Sequence, residues 1–148
     1  MTLVDRLTCE NQILRVDGME QFQVYRHDSG GYYLWGTQHS SAGSTYSLWL
    51  PLPLGFPEAR PPLYIHDPNP LWAFDATRTI NSFGVSHAMH TLENGPSGEV
   101  QICHWRPDRW HSGITLNKVM LKGILWLEAY AQHLATGKDI NDFVRTTI

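Results

Sequence analysis

The feature that most constrains this fold is a series of four strand-like segments joined by short connections. Each segment is rich in β-branched and aromatic residues, and Gly, Ser, Asp or Pro residues separate it from the next. Because parallel neighbours need a crossover of a dozen or more residues, the spacing predicts an antiparallel meander. The segments are FQVYRH (22–27), YYLWGTQ (32–38), STYSLWLPLP (44–53) and LYIHD (63–67).

Prolines affect the third predicted strand and the connection that follows it. Pro51 and Pro53 either end the third strand or place it at a sheet edge, because proline donates no ladder hydrogen bond. The proline-rich GFPEARPP (55–62) is expected to form a rigid, extended connector.

Helical patterns flank the strands. Residues 2–16 favour a short helix that ends at Asp17-Gly18, and residues 138–148 favour a short terminal helix. The main helix is predicted between an N-cap at Thr115 and a stop at Gly137. Its apolar residues recur at three- and four-residue steps: Leu116, Val119, Met120, Gly123, Ile124, Leu127, Tyr130 and Leu134. The expected class is α+β, with an antiparallel sheet packed on a helix.

Composition narrows the possible functions. A chain of 148 residues with 42% hydrophobic and 17% charged residues is expected to form a single domain, 1–148. The net charge of −3 gives no basic footprint for nucleic acid, and no run of eighteen apolar residues predicts a membrane span. The first residues lack an apolar signal-peptide segment, so we expect a cytoplasmic protein with Cys9 and Cys103 reduced.

The candidate chemistry lies in two late segments. Residues 68–98 have no sustained periodicity, and long irregular stretches inside compact domains are often functional. They contain SHAMH (86–90), with His87 and His90. Cys103 follows in GEVQICHWRPDRW (98–110), where a thiol acts as a buried small side chain, a metal ligand or a nucleophile.

The order of helix, four-strand meander, loop with a cysteine and helix resembles the ubiquitin-conjugating (E2) catalytic domain. FPEARPP (56–62) resembles the family's tyrosine-proline followed by a double proline, with Phe for Tyr and one extra residue. GEVQIC, which ends at Cys103, is similar to the family's glycine-x-isoleucine-cysteine. Trp110 resembles the tryptophan after that cysteine, and Thr115-Leu116 resembles the start of the next helix.

The chain departs from the family pattern at two points, and in both it resembles bacterial E2-like proteins, many of which are encoded in antiphage operons. Where the family has His-Pro-Asn, this chain has His90-Thr91-Leu92, so that Leu92 replaces the asparagine thought to support the oxyanion. The usual pair of C-terminal helices is expected to be missing or reduced to one turn. The tail LWLEAYAQHLATGKDI (125–140) also resembles those bacterial proteins.

The resemblance implies an acyl transferase that carries a protein C-terminus as a thioester on Cys103. His90, His87 or a backbone amide would replace the missing oxyanion donor, and a histidine would act as general base. His104, Arg106 and Arg109 are expected to lower the pKa of the thiol. The implied partners are an E1-like activating protein and either a ubiquitin-like protein or a cGAS-like nucleotidyltransferase of a cyclic-oligonucleotide (CBASS) system. No cofactor or metal is expected.

Three alternatives stay open on the sequence alone. The first is a non-catalytic E2-like module that only binds a partner. The second is a zinc site built from His87, His90, Cys103 and His104. The third is a Cys–His hydrolase, which needs a histidine held by an Asn or Asp.

Overall fold

The computed structural model describes residues 1–147, with side chains described through Val144. It is an α+β chain in which one antiparallel sheet packs against helices. In chain order the elements are α1 (Leu3–Val16), β1 (Gln23–Arg26), β2 (Tyr32–His39), β3 (Thr45–Leu52), β4 (Leu63–Asp67), β5 (Val100–Ile102), α2 (Leu116–Thr136) and α3 (Ile140–Thr147).

The sheet is a five-stranded meander with the spatial order β1-β2-β3-β4-β5, and every neighbouring pair is antiparallel. The four predicted strands are confirmed, but the predicted strand count is one too low. β5 has only three residues, and it pairs with β4 through Leu63↔Ile102 and Ile65↔Val100. Three residues are too few to show the alternation typical of a strand, so β5 is recognisable only from its pairing with β4.

Pro51 occupies the end of β3, where that strand has a neighbour on one side only. It lies opposite Tyr33 of β2, whereas the pairing with β4 stops at Trp49↔Tyr64. Of the two alternatives, the sheet edge is wrong because β3 lies between β2 and β4, and the strand instead ends at Leu52, before Pro53.

Helix α2 packs on the inward face of the sheet. Its buried residues include Val119, Met120, Trp126 and Leu127, and they meet inward residues of the strands. Close approach occurs at Gly123, where a Cβ atom would lie 2.9 Å from Cδ2 of Leu63. The helix begins after Thr115 and ends at Gly137, which adopts a left-handed φ of 76°. Both predicted ends are confirmed.

Helix α1 is attached to the start of α2 through a buried carboxylate. Glu10 is fully buried and accepts hydrogen bonds from the Leu116 backbone N–H (3.0 Å) and from Arg6 Nε (2.9 Å). Arg6 also donates to the Ile114 carbonyl (3.1 Å). Since the first N–H groups of a helix have no intrahelical partner, Glu10 supplies the cap that the Thr115 side chain does not provide.

The short terminal helix predicted for residues 138–148 is confirmed as α3, which packs against α2. Its eight residues exceed the single turn to which the C-terminal helices were expected to be reduced. Ile140 and Val144 are buried, which explains why so short a helix is retained. Among the described residues, no helix combines the length and apolarity that crossing a membrane requires.

Candidate functional site

Cys103 directly follows β5, and its backbone is tied to the preceding irregular segment. Its N–H donates to the His90 carbonyl (3.1 Å), and Thr91 forms an isolated bridge with Ile102. The side chain of Cys103 is partly exposed. The short strand thus fixes the cysteine, while the loop that carries His87 and His90 lies alongside it.

A cavity of about 700 Å³ opens at the cysteine. It is lined by residues from the loop before β5, the segment after Cys103, α2 and α3. They are His90, Cys103, His104, Trp105, Arg106, Arg109, His111, Lys122, Asn141 and Val144. The volume falls within the range of ligand sites, and three Lys or Arg side chains make the wall cationic.

The thiol of Cys103 experiences opposing influences. Burial raises its pKa, and the cations of Arg60, Lys122 and Arg106 partly oppose this rise. The net direction is upward because burial outweighs these cations, and Arg109 is not among the groups that lower the pKa. Arg106 acts as predicted, but Arg60 and Lys122 act beside it and the sequence pattern did not indicate either residue.

His104 is not one of these cations. Its ring is buried, and Nε2 donates to the Pro61 carbonyl (2.7 Å), while Nδ1 has no hydrogen-bond partner among the described residues. Burial, with a smaller contribution from Arg60, lowers the pKa of His104 to about 3. A neutral, buried ring edge-on to Trp110 (6.0 Å between centroids) has a packing role.

His90 lies beside Cys103 in an unusual backbone conformation, with a φ of 57°. Non-glycine residues rarely adopt this left-handed region, although histidine does so more often than most. Burial lowers the pKa of His90, whereas hydrogen bonds to Asn141 and to the Cys103 backbone favour its charged form. The imidazole is therefore held in place on two sides.

Asn141 of α3 joins the two predicted histidines. Its Oδ1 accepts from His90 Nδ1 (3.3 Å), and its Nδ2 donates to His87 Nε2 (3.2 Å), in the tautomers that satisfy both contacts. Its backbone N–H donates to the Ala88 carbonyl (2.8 Å). Sequence reasoning missed Asn141 because it lies 38 residues beyond Cys103, and only the packing of α3 brings it to the site.

Lys122 also reaches the cavity from α2. Its Nζ lies over the Trp105 ring, 3.7 Å from the ring centroid, which is a close cation–π contact. Burial lowers the pKa of this amine, while its interaction with Cys103 opposes that shift. In the sequence it appears as one more polar position on the main helix, with no local signal to distinguish it.

The geometry bears differently on the zinc site and on the Cys–His hydrolase. No three His, Cys, Asp or Glu side chains in the described part of the chain are grouped as metal ligands, so the zinc set of His87, His90, Cys103 and His104 is not assembled. The Cys–His hydrolase stays open, because His90 has the asparagine partner that this alternative needs and both line the cavity at Cys103.

Comparison with protein families, characterised proteins and solved structures finds no match to this chain.

Proposed function

We propose that this protein is an E2-like conjugating enzyme of a bacterial antiphage system. It carries the C-terminus of a ubiquitin-like protein or a cGAS-like nucleotidyltransferase as a thioester on Cys103 and transfers it to an amine. An E1-like activating protein supplies the activated C-terminus, and the reaction takes place in the cytoplasm.

The observation that carries this proposal is the placement of Cys103. A partly exposed cysteine ends a short strand beside a cation-lined cavity, and an upstream histidine loop is bonded to its backbone. The α+β order of helix, meander and main helix is the arrangement that the E2 resemblance predicts. Of the residues on which the resemblance depends, Cys103 and His90 line this cavity.

The chemistry consists of two acyl transfers at Cys103. In the first, the thiolate attacks the activated carbonyl carbon, a C–S bond forms, and the activating group leaves. In the second, an amine attacks the thioester, a C–N bond forms, the C–S bond breaks, and a base accepts the amine proton. Burial raises the pKa of the thiol, and the cations of Arg60, Lys122 and Arg106, which lower it, favour the thiolate that the first step needs.

The oxyanion of each step needs a donor where the family asparagine is replaced by Leu92. We assign this role to Asn141, whose side-chain amide lines the same cavity and is held by His87 and His90. Losing one oxyanion donor typically raises a barrier by about 2.7–4 kcal/mol. Asn141→Ala is therefore expected to slow transfer by about two to three orders of magnitude.

The test is co-expression with the neighbouring genes, followed by non-reducing gels and mass spectrometry. The expected result is a thiol-sensitive adduct in the wild type that becomes a stable oxyester or disappears in Cys103→Ser. Cys9→Ser is the matched control, because Cys9 is the other partly exposed free cysteine and lies on α1. An adduct that persists unchanged in Cys103→Ser, or no adduct with an active E1-like neighbour, contradicts the proposal.

A second candidate is a non-catalytic E2-like module that recognises a partner. It is favoured by Leu92, which stands where the family has its asparagine, and by the burial that raises the pKa of Cys103 and so disfavours the thiolate. This function predicts a stable complex with a neighbouring gene product that survives both Cys103→Ser and Asn141→Ala. The adduct experiment separates the two functions directly.

A further inference from the structure

The outward face of the sheet, opposite α2, carries aromatic side chains where an antiparallel sheet usually presents polar ones. Tyr25 of β1 pairs with Tyr33 of β2, and their rings stack with centroids 5.7 Å apart. Trp35 of β2 pairs with Trp49 of β3 on the same face. The aromatic residues therefore cross three adjacent strands.

These side chains border a second cavity of about 490 Å³ that is separate from the Cys103 site. Its volume lies within the range of small-molecule sites. It is lined by Tyr25, His27, Tyr33, Trp35, Trp49, His66 and Glu99.

A single carboxylate contributes the negative charge of this cavity. Glu99 is only 4% exposed, and it accepts from Trp49 Nε1 (2.5 Å) and forms a 2.6 Å contact with His66 Nδ1. Its ion-pair contact in the described part of the chain is with the half-exposed His66, which is charged only when protonated, and no Lys or Arg side chain pairs with it there. A buried carboxylate without a permanently charged partner is stabilised when a further positive group approaches it.

We propose that this cavity binds a small organic cation of the alkylated ammonium class. Aromatic faces attract cations through the ring quadrupole, and quaternary ammonium ions are bound by cages of this kind. Glu99 adds charge complementarity, which disfavours phosphate-bearing ligands. Because Trp49 and His66 already engage the two carboxylate oxygens, a cation without N–H donors fits better than a primary ammonium or a guanidinium.

The site is independent of the proposed transferase chemistry. Glu99 precedes β5 and Cys103 follows it, but Glu99 faces the outward cavity and none of the residues that line it borders the cavity at Cys103. Cys103→Ser is therefore expected to bind the cation like the wild type. This variant distinguishes failure of one proposal from failure of the other.

The test is titration of the full chain with choline, followed by tryptophan fluorescence and calorimetry. We expect saturable binding, about tenfold weaker binding of the neutral isostere 3,3-dimethylbutan-1-ol, and weaker binding of ethanolamine. Absence of saturable choline binding overturns the proposal. Equal binding of the neutral isostere, or tighter binding of ethanolamine, also overturns it.

Two variants tie the binding to this cavity. Glu99→Gln keeps an acceptor for Trp49 and removes the charge, and we expect it to weaken choline binding about tenfold. Trp35→Leu keeps an apolar side chain and removes the ring, with a similar expected loss. Circular dichroism establishes whether each variant is folded. If Glu99→Gln does not fold, the choline affinity of Trp35→Leu tests the proposal. A folded variant that binds choline like the wild type contradicts the proposal.

Discussion

Cys103 and Lys122 interact across the cavity wall, and this interaction is measurable without any partner. Lys122 lowers the pKa of the thiol, so Lys122→Met is expected to reduce the thiolate fraction and slow alkylation. A screened charge pair is worth about 0.2–1 kcal/mol, which corresponds to about a 1.4- to 5-fold change in rate. The measurement is the pH profile of iodoacetamide alkylation in a Cys9→Ser background, with Lys122→Arg as the charge-preserving control. An unchanged or faster rate for Lys122→Met contradicts this account.

His104 makes the stability of the fold sensitive to acid. Its pKa of about 3 in the folded chain lies below the ordinary value of 6.5, so the unfolded chain takes up the proton first. Its contribution to stability is complete above about pH 6.5 and is lost as the pH falls toward 3, with a slope of up to about 1.4 kcal/mol per pH unit. His104→Gln keeps an N–H donor and removes the titration. Urea unfolding between pH 7 and 4 is expected to show a shallower slope for His104→Gln; equal slopes contradict the assignment.

At the scale of elements, Glu10 links α1 to the N-terminus of α2. Glu10→Ala leaves the Leu116 N–H and the Arg6 guanidinium without this acceptor, and we expect a loss of about 1–3 kcal/mol in unfolding free energy. Glu10→Gln keeps one carbonyl acceptor for Leu116 and is expected to lose less. Denaturant unfolding of both variants gives the comparison. Equal losses would indicate that the charge, and not the helix cap, carries the effect.

Helix α3 contributes Asn141 to the site, and the contact has a spectroscopic readout. The hydrogen bond from His90 to Asn141 raises the pKa of His90, in opposition to burial. Asn141→Ala is therefore expected to lower the pKa of His90 further, as followed by NMR titration of the imidazole. Asn141→Asp, which restores an acceptor and adds a charge, is expected to raise it. A His90 pKa that is the same in all three proteins contradicts the assigned contact.

The same elements show which parts of the fold and site the sequence could predict. Strand alternation and the apolar periodicity of α2 are local properties, so four strands and both ends of the main helix were predicted. The sequence did not indicate β5, because three residues are too few to show the alternation of a strand. It did not indicate Glu10 as a helix cap, because the N–H that Glu10 binds lies 106 residues further along the chain. At the site, the sequence indicated Cys103 and His90 because the residues next to them form recognisable motifs. It did not indicate Asn141 or Lys122, which reach the cavity only through the packing of α3 and α2.

At the scale of the whole molecule, one α+β chain carries two separate cavities on opposite faces of the sheet. The Cys103 cavity lies on the side of α2 and α3, and the aromatic cavity lies on the outward face. If the two sites act independently, choline is expected to leave the alkylation rate of Cys103 unchanged. A rate that changes with choline concentration would instead indicate coupling between the two faces.

Acyl transfer to Cys103 can be tested by intact-mass spectrometry of the chain purified with its gene neighbours under non-reducing, mildly acidic conditions. We expect a species whose mass is the sum of this chain and a partner, less one water, and whose linkage maps to Cys103. Hydroxylamine or dithiothreitol should release it, and Cys9→Ser should form it equally well. A chain that remains unmodified beside an active E1-like protein, or a linkage that maps elsewhere, would contradict the claim that Cys103 carries the acyl group.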